Sequence, residues 1–231
     1  MSARLLAAAL VLGVGVVGRA DAAPPDDRIL RVDQYTSQKA RTLAQRYAPA
    51  LRDLNAAIYN CLPWLDVSKE SIGFFRPKHL APSQDSRYLS LRIFIVQDPS
   101  REFASLKFEE RASAMFSRYV GGMLRRMTQR RELVADSLLD GFSVIVGWLK
   151  PTSQPGTQPV HETIAAFADR LTVAEYVAGR ASISALAGRA AVFGYDGETP
   201  LGRLKIQARE DDFLKTFQIA NYRPEPGVTC R

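Results

Sequence analysis

The chain of 231 residues is expected to fold as one α+β domain, with a largely antiparallel sheet of five or six strands and two long helices packed on one face. Three observations carry this expectation. Residues 36–58 and 103–134 repeat apolar side chains at three- and four-residue steps, the period of a helix. Residues 88–97 and 142–149 are apolar runs of strand length bounded by turn residues. The composition, 46% hydrophobic and 24% charged, suits a core-forming chain and not a disordered, collagen-like or coiled-coil one.

Residues 1–22 read MSARLLAAALVLGVGVVGRADA. Arg4 makes the start positive, Leu5 to Val17 is apolar or glycine throughout, and Ala20 and Ala22 put small residues where a signal peptidase cuts. An export signal cleaved before Ala23 is expected. As a helix the apolar stretch rises about 20 Å, short of a bilayer core of about 30 Å. Gly13 to Gly18 fits a dinucleotide-binding pattern, but that pattern works only between a strand and a helix. Without these residues the formal charge falls from +7 to +6.

Residues 23–35, with Pro24-Pro25-Asp26-Asp27, read as a loose leader, and the single domain as 36–231. Thr36 is placed as the N-cap of the first helix. Ala40, Leu43, Ala44, Tyr47, Leu51, Leu54 and Ile58 form its buried face, and Pro49 predicts a kink. Prolines 63, 77 and 82 make 62–86 mostly loop, with a short strand at Ile72 to Phe75. Tyr88 to Gln97 is the clearest strand: Leu89, Leu91, Ile93 and Ile95 line one face, and the other is partly apolar, as in an interior strand.

The second long helix carries Phe108, Ala112, Met115, Phe116, Tyr119, Val120, Met123 and Met127 on one stripe. Gly121-Gly122 marks a close contact or a break within it. Asp140-Gly141 turns into a buried strand, Phe142 to Leu149. Residues 151–159 (PTSQPGTQP) read as a linker or hairpin loop, and 160–171 fits either a helix or the hairpin's second strand, the strand being preferred. Thr172 with Glu175 suggests a capping box for a helix at 173–178 that ends at Gly179. Residues 189–195 and 202–209 read as paired strands around Asp196-Gly197. A last short helix follows, docked by Phe213, Leu214 and Phe217.

Two cysteines, Cys61 and Cys230, cannot form a disulfide-dense scaffold, but in an oxidising compartment they suit one bridge from the tail to the first helix. For so long a loop the chain-entropy model gives an upper value of about 5 kcal/mol. The other reading, a reactive thiol, lacks a C-x-x-C pair or a histidine nearby in sequence.

Arg111, Arg118 and Arg125 are spaced by seven, nearly two helical turns. With Arg126, Arg130 and Arg131 they form a candidate anion-binding face for lipid headgroups, acidic glycans or an envelope protein. The plainer reading is a solvated helix end whose cations suit the helix dipole. Arg203, Lys205 and Arg209 make a second basic stripe that the sequence does not place beside the first. Export argues against nucleic acid as a partner.

Met115, Met123 and Met127 share a helix face with Tyr119 and read as core, not as a soft-metal site. The two histidines, His79 and His161, belong to no zinc motif. The patterns G-x-S-x-G, S-x-x-K and Walker-type phosphate loops are absent. Asp196 and Glu198 read as turn residues. No catalytic residue, metal or cofactor is assigned. The leading reading is an exported, non-catalytic binding or interaction module of the bacterial envelope. Two others stay open: a secreted hydrolase built on His79 or His161, and a structural helper docking through apolar helix faces.

Overall fold

The computed structural model describes residues 24–96, 98–150 and 160–209. The expected export signal, the 151–159 linker, the helix over 213–217 and Cys230 lie outside the described residues.

The chain is an α+β domain with one mixed sheet. Two short 3-10 turns lead into α1 (Gln38–Arg46) and α2 (Ala48–Cys61), then β1 (Leu65–Val67), β2 (Gly73–Phe75) and β3 (Tyr88–Ile95). Helices α3 (Arg101–Ser105) and α4 (Phe108–Met115), a π-helical turn (Phe116–Val120), α5 (Gly121–Met127) and α6 (Arg131–Ala135) follow. Strands β4 (Gly141–Leu149) and β5 (His161–Asp169) come next. Then come α7 (Arg170–Val177), α8 (Ile183–Arg189), β6 (Ala191–Asp196) and β7 (Thr199–Arg203). The strand order is β1-β3-β4-β5-β6-β7, and β2 pairs with β3 below β1. All pairings are antiparallel except β3 with β4. A parallel pair needs a long crossover, and α3 to α6 supply it.

The described helices pack on one face of the sheet. The side chains that meet them form continuous cross-strand rows: Leu89, Phe142 and Ala168; Leu91, Val144, Ala166 and Val192; Ile93, Val146 and Ile164. Each of these is at most 5% exposed. Tyr47 from the end of α1 reaches Phe74 of this layer, and Phe108 of α4 lies over Gly194, where a Cβ would sit 2.8 Å from its ring.

The long helices are segmented where the chain demands it. The first breaks at Tyr47 (φ −105°), and Pro49 falls in the first turn of α2, where its missing N–H costs nothing. The apolar stripe runs on through the break: Leu43, Leu51, Leu54 and Ile58 are all buried. The cap is Ser37, whose Oγ accepts from Ala40 N, and not Thr36. In the second helix Gly121 continues the helix and packs under Tyr176 and Ile183, so it marks a close approach, while Gly122 faces open space. Strand β1 (LDV) is too short to show a period, and β7 overlaps the expected 202–209 only at its start: Leu204 N still donates to the Val192 carbonyl, and the residues beyond it leave the sheet.

Helix α7 is capped by Asp169, which accepts from Thr172 N at 2.9 Å, so the capping residue is three positions earlier than expected. Gly179 (φ +72°) ends it. Burial alone would raise the Asp169 carboxyl, but the donors of Thr172 and the neighbouring backbone hold it below its ordinary value. Asp169→Ala is therefore expected to lower stability by about 1 kcal/mol in urea unfolding, while Thr172→Val, which keeps the backbone donor, should cost less.

Candidate functional site

The spacing-by-seven ridge is not a single surface line. Arg111 turns inward and is 9% exposed. Its Nε and Nη2 donate to the two carboxylate oxygens of Glu162 at 2.7 and 2.6 Å, and Nη1 donates to the Leu106 carbonyl. Glu162, 2% exposed, also accepts from Trp148 Nε1 at 2.8 Å. Phe108 stacks on Trp148, and Phe103 meets it edge-on. Arg111 is thus withdrawn from any anion-binding role and instead bolts the α3–α4 joint to the sheet. The π-helical turn is the physical reason the series fails. Its extra residue sets the helix beyond it back by about 100°, one residue's rotation. Arg118 is then half-buried and Arg125 exposed.

The remaining arginines stay near the C-terminal end of this helix. Arg125 lies over the Tyr176 ring, 4.6 Å from its centroid. Arg126 is half-buried, and burial holds its guanidinium below its ordinary value. Arg130 pairs with Asp53 at 2.7 Å, a contact exposed on both sides and so of small energetic weight. Arg131 is exposed at the start of α6. Among the described residues Arg118, Arg125 and Arg131 form no ion pair.

The C-terminal end of the second basic stripe lies beside the first, while Arg203 stands on the other face of the sheet. After β7 the chain runs extended over α4 and the π turn: Gln207 N donates to Ser113 Oγ (3.1 Å) and Arg209 N to Ser117 Oγ (3.2 Å). Ser184 Oγ donates to the Ala208 carbonyl from the other side. Leu204, Ile206 and Ala208 turn inward while Arg203, Lys205 and Arg209 are exposed. Arg209 is therefore held against Ser117, the residue next to Arg118. Two serines inside an apolar stripe are the sequence trace of this contact, readable only once the partner segment is known.

The other candidates resolve by placement. Met115, Met123 and Met127 are core, at 2–4% exposed. Tyr119 is buried with them, and burial raises its hydroxyl above the ordinary tyrosine value while Arg118 opposes this. His79 packs its ring on Phe167 and Phe193, and His161 on Phe94. Burial first and Arg203 second keep His79 below the usual histidine value. Among the described residues neither histidine makes a hydrogen bond or ion pair to a carboxylate. Asp196 is held by Lys150 at 2.6 Å. Gly197 and Glu198 form the β6–β7 turn, where Gly197 (φ +58°) supplies the positive φ of the first turn position. Among the described residues no His/Cys/Asp/Glu group could hold a metal, and no helix is long and apolar enough to cross a membrane. Cys61 closes α2 and is 9% exposed, and no described cysteine is free.

No family model matches the chain, and neither a curated protein nor a solved structure matches it.

Proposed function

We propose that this chain is an exported, non-catalytic binding module of the cell envelope that contacts anionic lipid headgroups through the cationic surface around Arg118, Arg125, Arg131 and Arg209. The observation that carries the reading is the meeting of two basic segments far apart in sequence, through the Arg209–Ser117 backbone contact. Among the described residues none of these four arginines forms an ion pair, and a net positive chain favours the same partner. Each arginine near an anionic bilayer contributes about 1 kcal/mol.

The test is co-sedimentation of the full mature chain with vesicles containing phosphatidylglycerol, against vesicles of phosphatidylcholine alone. The variant R118Q/R125Q/R131Q should lose roughly a hundredfold in affinity, the combined effect of three charges at about 1 kcal/mol each. Undiminished binding by that variant would remove the surface from consideration.

Export and the cysteine bridge belong to the same proposal. The mature protein should begin at Ala23 by N-terminal sequencing. Cys61 should pair with Cys230, so that thiol titration of the unfolded, unreduced protein finds no free thiol; two free thiols would refute the bridge.

A further inference from the structure

The sheet face turned away from the helices is not covered by any described helix. Its side chains are the alternate set on each strand. One cross-strand row runs Arg92, Ile145, Ala165, Phe193, Arg203, from β3 across to β7. At about 4.8 Å per strand the two arginines stand about 19 Å apart along it. Both are exposed, and neither makes an ion pair among the described residues.

Aromatic rings stand on either side of this row. Phe94 meets His161 at 5.2 Å between ring centres, with the Arg92 guanidinium 4.9 Å over Phe94. On the other side Phe167 lies 6.1 Å from Phe193 of the row itself, and His79 packs on both. Half-buried Ile145 stands between them, while the small residues Ser143, Gly147, Thr163 and Ala165 are buried, Gly147 under the Phe94 ring. Phe94, Phe167 and Phe193 are half-buried, so their rings remain partly open to solvent. Asp169 and Asp196, at the margins, are already engaged by Thr172 and Lys150.

We propose that this face binds an acidic polysaccharide, whose sugar rings lie on the Phe94 and Phe167–Phe193 platforms and whose carboxylates reach Arg92 and Arg203. The occupant is chosen by what the face offers and what it lacks. It is a sheet face and not an edge, so it presents no free backbone groups, and a peptide laid on it would leave its own main chain unpaired. A sugar ring has an apolar face for an aromatic ring and keeps its hydroxyls at the rim in water. With Ile145 filling the space between the platforms and the small residues already buried, the face has no groove described that would enclose an acyl chain. Uncompensated cations at both ends of the row ask for an anionic chain long enough to span them. This site lies on the opposite side of the sheet from the surface given to lipid headgroups and does not depend on it.

Isothermal titration of the full mature chain with alginate oligosaccharides, a polyuronate, tests the proposal. Neutral dextran serves as the uncharged control and polyglutamate as the acidic peptide. Polyuronate should bind and dextran should not. R92Q/R203Q should weaken binding about a hundredfold, a tenfold for each arginine neutralised, and both positions are exposed, so the fold is kept. F193A should weaken it with unchanged circular dichroism. R118Q/R125Q/R131Q should bind polyuronate as the native chain does, which separates this site from the lipid-binding surface. No polyuronate binding, full binding by R92Q/R203Q, or equally tight binding of polyglutamate would each overturn the proposal.

Discussion

Changing Glu162 to Gln, or Arg111 to Met, is expected to cost about 3–5 kcal/mol of folding stability, the range for breaking a buried ion pair from one side. The size follows from what each change leaves behind. Glu162→Gln strands the Arg111 guanidinium under the α3–α4 joint, where the Leu106 carbonyl still accepts from it but no carboxylate balances its charge. Arg111→Met leaves a carboxylate at 2% exposure with Trp148 Nε1 as its remaining donor. Pairing Arg111→Met with Glu162→Leu should cost less than the sum, because no charge is then left alone. Trp148 touches the pair, so urea unfolding followed by its fluorescence, with Trp64 removed, reads the effect directly. Single variants within 1 kcal/mol of the native protein would show that the pair is open to water. Because the same substitutions leave Arg118, Arg125 and Arg131 in place, any folded fraction should still bind anionic vesicles.

Phe142→Ala should destabilise the chain by a similar 3–5 kcal/mol, from the burial forgone and the cavity left behind. Phe142 is fully buried and sits at the start of β4 with Leu89 on one side and Ala168 on the other. It lies in the row where the parallel and antiparallel pairings of β4 meet, beneath the helices. Phe142→Leu, which keeps most of the volume, should cost less than half as much by the same denaturant measurement. Equal losses for both variants would place the ring at a strained and not a packed position.

Legibility in the sequence followed the range of the interaction. Strands β3 and β4 and the helix stripes were readable because burial repeats every two or every 3.6 residues within a single segment. The ambiguous 160–171 is a strand through Asp169 because it closes a hairpin with β4, which agrees with the strand preferred from its loop. The cap residues moved by one position at Ser37 and by three at Asp169, since Thr, Ser and Asp compete there on nearly equal terms. The π-helical turn left no such mark, and it is what separates Arg111 from Arg118 and Arg125. The inward Arg111 was invisible because its partner Glu162 lies 51 residues away. The same holds for the basic stripe at 203–209: its inward and outward alternation was legible, its resting place along Ser113 and Ser117 was not. The arginine row across the open face required the register of five strands, which no local pattern encodes.

In the proposed function the arginines around the π turn and α5 hold this chain to anionic surfaces. This is tested most directly by the affinity of the mature protein for phosphatidylglycerol vesicles as salt is raised from low ionic strength to about 0.5 M, where charges on a surface are largely screened. Binding at low salt should fall steadily along the series, with a flatter, weaker curve for R118Q/R125Q/R131Q. Binding that ignores salt, or that is as strong to phosphatidylcholine alone, would contradict it.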